Sequence, residues 1–154
     1  MKIIDGDLIE LAKEGEFDVI AHGCNCFCCM GSGIADTIAK EFPDAMIVDQ
    51  QTMQGDSDKM GTNSIAIVGD LTVVNAYTQY KYTRNEVDVD YNALRSCFRK
   101  IKETFSGKRI GYPLIGAGLA GGDWEVISQI IDEELDGEDH NLVKFNGKYT
   151  NVRY

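Results

Sequence analysis

Cys24-Asn25-Cys26-Phe27-Cys28-Cys29-Met30-Gly31-Ser32-Gly33-Ile34-Ala35 (CNCFCCMGSGIA) holds four of the chain's five cysteines, immediately ahead of a glycine pair. A metal nest, a redox centre and a main-chain loop built of small residues all compete for such a stretch. A tetrahedral zinc site wants two separated pairs of ligands, and no second pair accompanies these crowded thiols. Cys97 falls on the apolar face of a helical pattern, His140 stands near a distant acidic bend, and iron–sulfur spacing fits no better. No metal is expected. Cysteine then serves as a small, buryable residue where a strand passes into a loop. Gly31 and Gly33 let backbone amides approach a ligand closely. Met30-Gly31-Ser32-Gly33 leads into a helix N-terminus, whose partial positive charge favours an anion.

The flanks turn this loop into a unit. Upstream, Phe17–Ala21 (FDVIA) reads as a buried strand. Downstream, Ile34, Ala35, Ile38, Ala39 and Phe42 repeat with helical spacing until Pro43, which stops the helix or opens a second one to about Gln50. The same strand–glycine loop–helix order recurs later. Arg109–Leu114 reads as a strand, Gly116-Ala117-Gly118-Leu119-Ala120-Gly121-Gly122 follows, and Asp123–Leu135 is helical with Trp124, Ile127, Ile130, Ile131 and Leu135 apolar. Between and around these units lie a strand at Lys2–Asp5 and a helix from Leu8 to about Glu14, with Asp7 as N-cap and Glu10 completing a box-like pattern. Gln54–Asn63 is a polar surface loop. Ser64–Val68 and Leu71–Ala76 form a hairpin about Gly69-Asp70. A helix from Asp90 to about Phe105, a last strand at Asn141–Phe145 and a polar tail complete the chain. No repeat or linker interrupts it, so residues 1–154 are expected to form one domain. The fold expected is α/β, a three-layer α/β/α sandwich with a central mixed β-sheet. Two of its strands end in glycine loops that open helices, the arrangement in which ligands gather at the carboxyl ends of strands.

Composition narrows the partner. The formal net charge is −10, which argues against nucleic acid or an acidic membrane surface. A small phosphorylated ligand is not excluded, because main-chain N–H groups hold phosphate without lysine or arginine. No apolar run reaches the roughly 18 residues needed to cross a bilayer, and acidic residues occupy the place of a signal peptide's apolar region. The expected setting is the cytoplasm, where thiols stay reduced.

These motifs together resemble the macrodomain family of ADP-ribose-binding proteins, over nearly the whole chain. Gly6-Asp7-Leu8 is similar to the family's opening G-D-[IL] element, whose aspartate recognises the adenine amino group. Ala21-His22-Gly23-Cys24-Asn25 stands at the strand end that commonly reads V-N-A-A-N, with Asn25 matching the asparagine that contacts the distal ribose. Met30-Gly31-Ser32-Gly33-Ile34-Ala35 resembles the loop that wraps that ribose and its phosphate. Asn75-Ala76-Tyr77-Thr78-Gln79 resembles a strand end of one branch, and Pro113–Gly121 the second phosphate loop. The departures carry information too. His22 replaces the first asparagine. Ala120 occupies the position where some hydrolases of ADP-ribosylated carboxylates carry aspartate, and the aspartate appears instead at Asp123. This combination resembles the small macrodomains, some of them phage-encoded, that act as ADP-ribose 1″-phosphate phosphatases.

The resemblance implies a ligand, ADP-ribose or ADP-ribose 1″-phosphate, and a metal-independent phosphatase that needs no cofactor and acts as a monomer. It implies a binding set of Asp7, Leu8, Gly23, Asn25, Met30, Gly31, Ser32, Gly33, Ile34, Gly116, Ala117, Gly118, Leu119 and Ala120, with Phe145 against adenine. Phosphomonoester hydrolysis needs stabilisation of phosphoryl oxygens, an activated nucleophile and a proton donor. His22 and Asp123 are the catalytic candidates. Each has a second reading: His22 as a hydrogen-bonded histidine of the sheet, Asp123 as an ordinary N-cap. Asp7 likewise is either a cap or an adenine ligand. The alternative functions are a non-catalytic ADP-ribose-binding module and a hydrolase of ADP-ribosyl or O-acetyl-ADP-ribose esters.

Overall fold

The computed structural model describes residues 1–83 and 85–145, and the polar stretch 146–154 lies outside the described residues. The order is β1 (Lys2–Asp5), α1 (Leu8–Lys13), β2 (Val19–Cys24), α2 (Gly33–Glu41), α3 (Pro43–Gln50), β3 (Asn63–Val68), β4 (Leu71–Tyr77), α4 (Tyr91–Phe105), β5 (Arg109–Tyr112), α5 (Trp124–Glu134) and β6 (Asp139–Lys144). A short 3₁₀ turn at Ser57–Lys59 lies in the polar loop before β3. The strands form one sheet in the order β1-β6-β5-β2-β4-β3. Every neighbouring pair is parallel except the β3–β4 hairpin. The mixed α/β sheet expected from the sequence is present.

Two helical layers cover it. Ile34 and Ile38 of α2 join Leu8, Ile9 and Ile20 in one apolar cluster. Leu94, Phe98 and Ile101 of α4 join Ile127 and Ile131 of α5 in the other. Several helices begin where an acidic side chain accepts N–H bonds: Asp7 from Ile9 and Glu10, Asp90 from Ala93, Asp123 from Glu125. Pro43 opens α3 at its first turn, where the missing N–H costs nothing.

Strand boundaries differ from the expected ones for local reasons. β2 is bounded at Val19, although the Asp18 main chain already bonds both neighbours, its N–H to Arg109 O and its carbonyl to Thr72 N–H, each at 2.9 Å; its carboxylate accepts the Arg109 backbone N–H at 2.8 Å and the guanidinium at 2.9 Å. Phe17, outside the strand, lays its ring where a Cβ on Gly111 would sit, 2.8 Å away. At the other end β2 continues to Cys24, since His22, Gly23 and Cys24 pair in parallel with Asn75, Ala76 and Tyr77 of β4. β5 stops at Tyr112 because Pro113 has no N–H to donate. β6 begins two residues early, at Asp139, paired with Arg109. Trp124 is half-buried rather than enclosed.

One feature of this topology opens a crevice in the sheet's rim. β2 and β5 are neighbours, yet β2 sends its chain to α2 on one face and β5 sends its chain to α5 on the other. Diverging connections leave a crevice outside the carboxyl ends of the two strands.

Candidate functional site

The crevice is an open cleft at the carboxyl ends of β2 and β5. Both glycine loops line it. From the first come Gly23, Asn25, Ser32, Gly33 and Ile34, and from the second Gly116, Gly118, Leu119 and Ala120.

The first loop is shaped by Asn25. Its Oδ1 accepts the Phe27 N–H at 2.9 Å, and its Nδ2 donates to the Cys29 carbonyl at 2.9 Å. The acceptor is thus used within the turn, and one amide N–H is left for a ligand. Lys59, 8% exposed, ties the loop down from below. Its Nζ donates to the Cys26 carbonyl at 3.1 Å and lies 3.6 Å from Cys28 Sγ. Cys26 Sγ donates to Gln79 O, and Cys28 Sγ to Asp49 O. The thiols point to separate partners, and among the described residues no three His, Cys, Asp or Glu side chains converge as metal ligands. Burial pushes the Cys24 and Cys26 thiols up, and Cys97 up to about 12, which makes them poor nucleophiles at neutral pH. Cys29, the exposed one, stands on the cleft wall.

The loop then enters α2 through Gly33 at φ +62°, a conformation that suits glycine. Ser32 is the N-cap residue, but its side chain makes no capping bond. The first N–H groups of α2 are therefore open to an anion at the cleft. The second loop closes on itself. Gly116 has φ +77°, and Gly122 N–H donates to Gly116 O at 2.8 Å. Outside this ring, Asp88 N–H bonds Ala120 O at 2.8 Å.

Other candidates lie elsewhere. Met30 is buried in the apolar layer beneath α2, Gly31 is exposed beside the cleft, and Ala117 packs against the α4–α5 layer. Asp7, the fully buried Leu8 and Phe145 form a separate group at the carboxyl ends of β1 and β6, which Gly6 N–H to Lys144 O at 2.8 Å holds together. They are on the same rim of the sheet but outside the cleft lining. Asp123 is exposed and caps α5, with its backbone N–H held by Tyr91 Oη at 3.0 Å. His22 is fully buried, and its Nε2 lies 2.6 Å from Asn75 Oδ1. Asn75 Nδ2 already donates to Ala45 O and Ser64 Oγ, so the imidazole is the donor to Oδ1. Burial brings its pKa down to about 4, opposed by that bond. The imidazole is thus held against Asn75, whose amide in turn bonds Ala45 O of α3. The structure brings neither His22 nor Asp123 into the cleft lining.

Several lining residues had no place in the expected binding set. Pro113, Leu114 and Ile115 lead into the second loop, and their apolar character reads as strand. Gln79, the last residue of the strand-end motif, borders the cleft. Tyr82 lines it as well, and its surroundings carry no motif; the Gln79–Val89 bridge brings that segment in.

The family model for the macro domain matches residues 21–131. The chain belongs to the macrodomain family. A 17.5 kDa protein encoded in the tk–vs intergenic region of Enterobacteria phage T4 is 38% identical to this macrodomain over 141 residues, 86% of this chain and 88% of that one. The ADP-ribose 1″-phosphate phosphatase of Lodderomyces elongisporus is 29% identical over 155 residues, 92% and 96% of the two chains. The macrodomain of Mycobacterium tuberculosis DarG superposes with a TM-score of 0.70 at 19% identity, over 93% of this chain and 96% of that one. Among the described residues of this macrodomain, no helix is long and apolar enough to cross a membrane.

Proposed function

We propose that this macrodomain binds ADP-ribose 1″-phosphate across the cleft and hydrolyses the terminal phosphomonoester, giving ADP-ribose and inorganic phosphate. One observation carries the reading. Two main-chain loops meet at the carboxyl ends of β2 and β5, one presenting the uncapped N-terminus of α2. Such loops hold diphosphate oxygens by N–H donation and need no cationic side chain, which suits a chain of net charge −10. Asp7 and Phe145, further along the same rim, are proposed to meet the adenine. The reaction is chosen on similarity to the fungal phosphatase over most of both chains.

A second reading, recognition of ADP-ribose without turnover, is favoured by the chemistry of the lining. Among the described residues it contains no carboxylate, imidazole, lysine or arginine. Hydrolysis there relies on oriented water and on dipoles aimed at the phosphoryl oxygens. The two readings part in one assay. Purified protein, with EDTA present, is incubated with ADP-ribose 1″-phosphate, an ADP-ribosylated peptide or O-acetyl-ADP-ribose. We expect inorganic phosphate from the first and no ADP-ribose from the other two. Tight binding of ADP-ribose with no phosphate release leaves the recogniser, and release from the esters makes it an ester hydrolase.

A further inference from the structure

Two buried side-chain polar atoms among the described residues have no hydrogen-bond partner, Asn63 Oδ1 and Thr78 Oγ1. Native structures hold few such atoms, and each calls for a reason. Thr78 follows β4 directly and is fully buried. Its backbone is committed, the N–H to Ala76 O at 2.9 Å and the carbonyl to Asp90 N–H at 2.8 Å. Only the hydroxyl is idle. It lies against the cleft floor: a Cβ built on Gly23 would stand 2.8 Å from Thr78 Oγ1 and 3.3 Å from Ile115 Cγ1. Gly23 and Ile115 both line the cleft, one beside each loop. The hydroxyl thus sits where the two halves of the site meet, against a residue without a side chain and a flexible aliphatic one.

We propose that Thr78 is a ligand-positioning residue, whose hydroxyl donates to an oxygen of the bound nucleotide sugar once the Ile115 side chain swings aside. The hydrogen bond missing from the unliganded fold is then made in the complex, so its free energy appears as affinity. The inference rests on reading the cleft as an ADP-ribose site. It asks for a glycine at position 23, since any side chain there would occupy the path between hydroxyl and ligand.

Thr78→Val keeps the shape and removes the hydroxyl, and Thr78→Ser keeps the hydroxyl. Each variant and the wild type are melted without ligand and titrated with ADP-ribose in a calorimeter. Unliganded Thr78→Val should melt no lower than wild type, because it removes an unpartnered polar atom. Its affinity should fall by up to roughly tenfold, the usual effect of losing a hydrogen bond. Thr78→Ser should recover most of that loss. A merely structural hydroxyl gives the reverse, a lower melting temperature with unchanged affinity, and either result alone overturns the inference. If wild type binds no ADP-ribose, the functional reading of the cleft fails instead, and the unliganded melts still judge the hydroxyl.

Discussion

Gly122→Ala is expected to lower ADP-ribose affinity by roughly a hundredfold or more and to lower the melting temperature as well. Gly122 N–H closes the second loop on Gly116 O at 2.8 Å, and a methyl on Gly122 would stand 2.6 Å from that same oxygen. It would also lie 2.5 Å from Val89 Cγ1. Val89 can turn, but a carbonyl fixed in a loop cannot move without opening the ring. Overpacking of this kind costs about 1–3 kcal/mol of stability. The binding loss is larger, because the loop's N–H groups turn away together, and each bond to a charged oxygen is worth about 1.5–3 kcal/mol. Gly137→Ala is the control. That glycine is also at positive φ, +81°, with nothing near its absent side chain. It should lose some stability and no affinity. Equal losses of affinity in both variants would mean that the second loop does not hold the ligand.

The second large effect concerns His22. A histidine whose folded pKa is about 4, against about 6.5 unfolded, is neutral in the native state while the unfolded chain still takes up a proton. Its contribution to stability is therefore complete above pH 6.5, falls as pH drops through that window, and is lost by pH 4. The shift corresponds to about 3 kcal/mol. Urea unfolding of the wild type should show this decline, with a further part from His140, which burial also depresses. His22→Leu should remove the His22 share of the slope. It should also be less stable at pH 7, because Asn75 Oδ1 loses its donor in a buried site. Its affinity for ADP-ribose and its phosphate release per folded molecule should stay within a few-fold. Loss of turnover by a factor of about 10²–10⁴, the usual share of an acid or base, with affinity intact, would instead put this imidazole in the reaction.

The sequence made the glycine loops legible for a physical reason. Gly33 and Gly116 mark backbone at positive φ, Pro43 marks a helix start, and Asp7, Asp90 and Asp123 mark caps. These are local constraints, and local sequence records them. The face presented by His22 is not local. FDVIA looks like a strand, with His22 at its end beside the ligand loop. Pairing with β4, more than fifty residues away, carries β2 on to Cys24 and turns His22 inward. There the imidazole is fully buried and bonded to Asn75. The cysteines follow the same division. Their smallness was readable, whereas the buried Lys59 that bonds the Cys26 carbonyl comes from a polar loop with no motif. Tyr82 reaches the cleft by the same long-range route.

The central claim is that main-chain amides from the loops after β2 and β5 together hold a diphosphate-linked sugar. Calorimetric titration of ADP-ribose into the wild-type protein tests it most directly. The account predicts a saturable, one-site binding heat, with an affinity that falls roughly a hundredfold or more in Gly122→Ala and is unchanged in Gly137→Ala. Absence of any heat or thermal stabilisation at ligand concentrations far above those of the protein would contradict it.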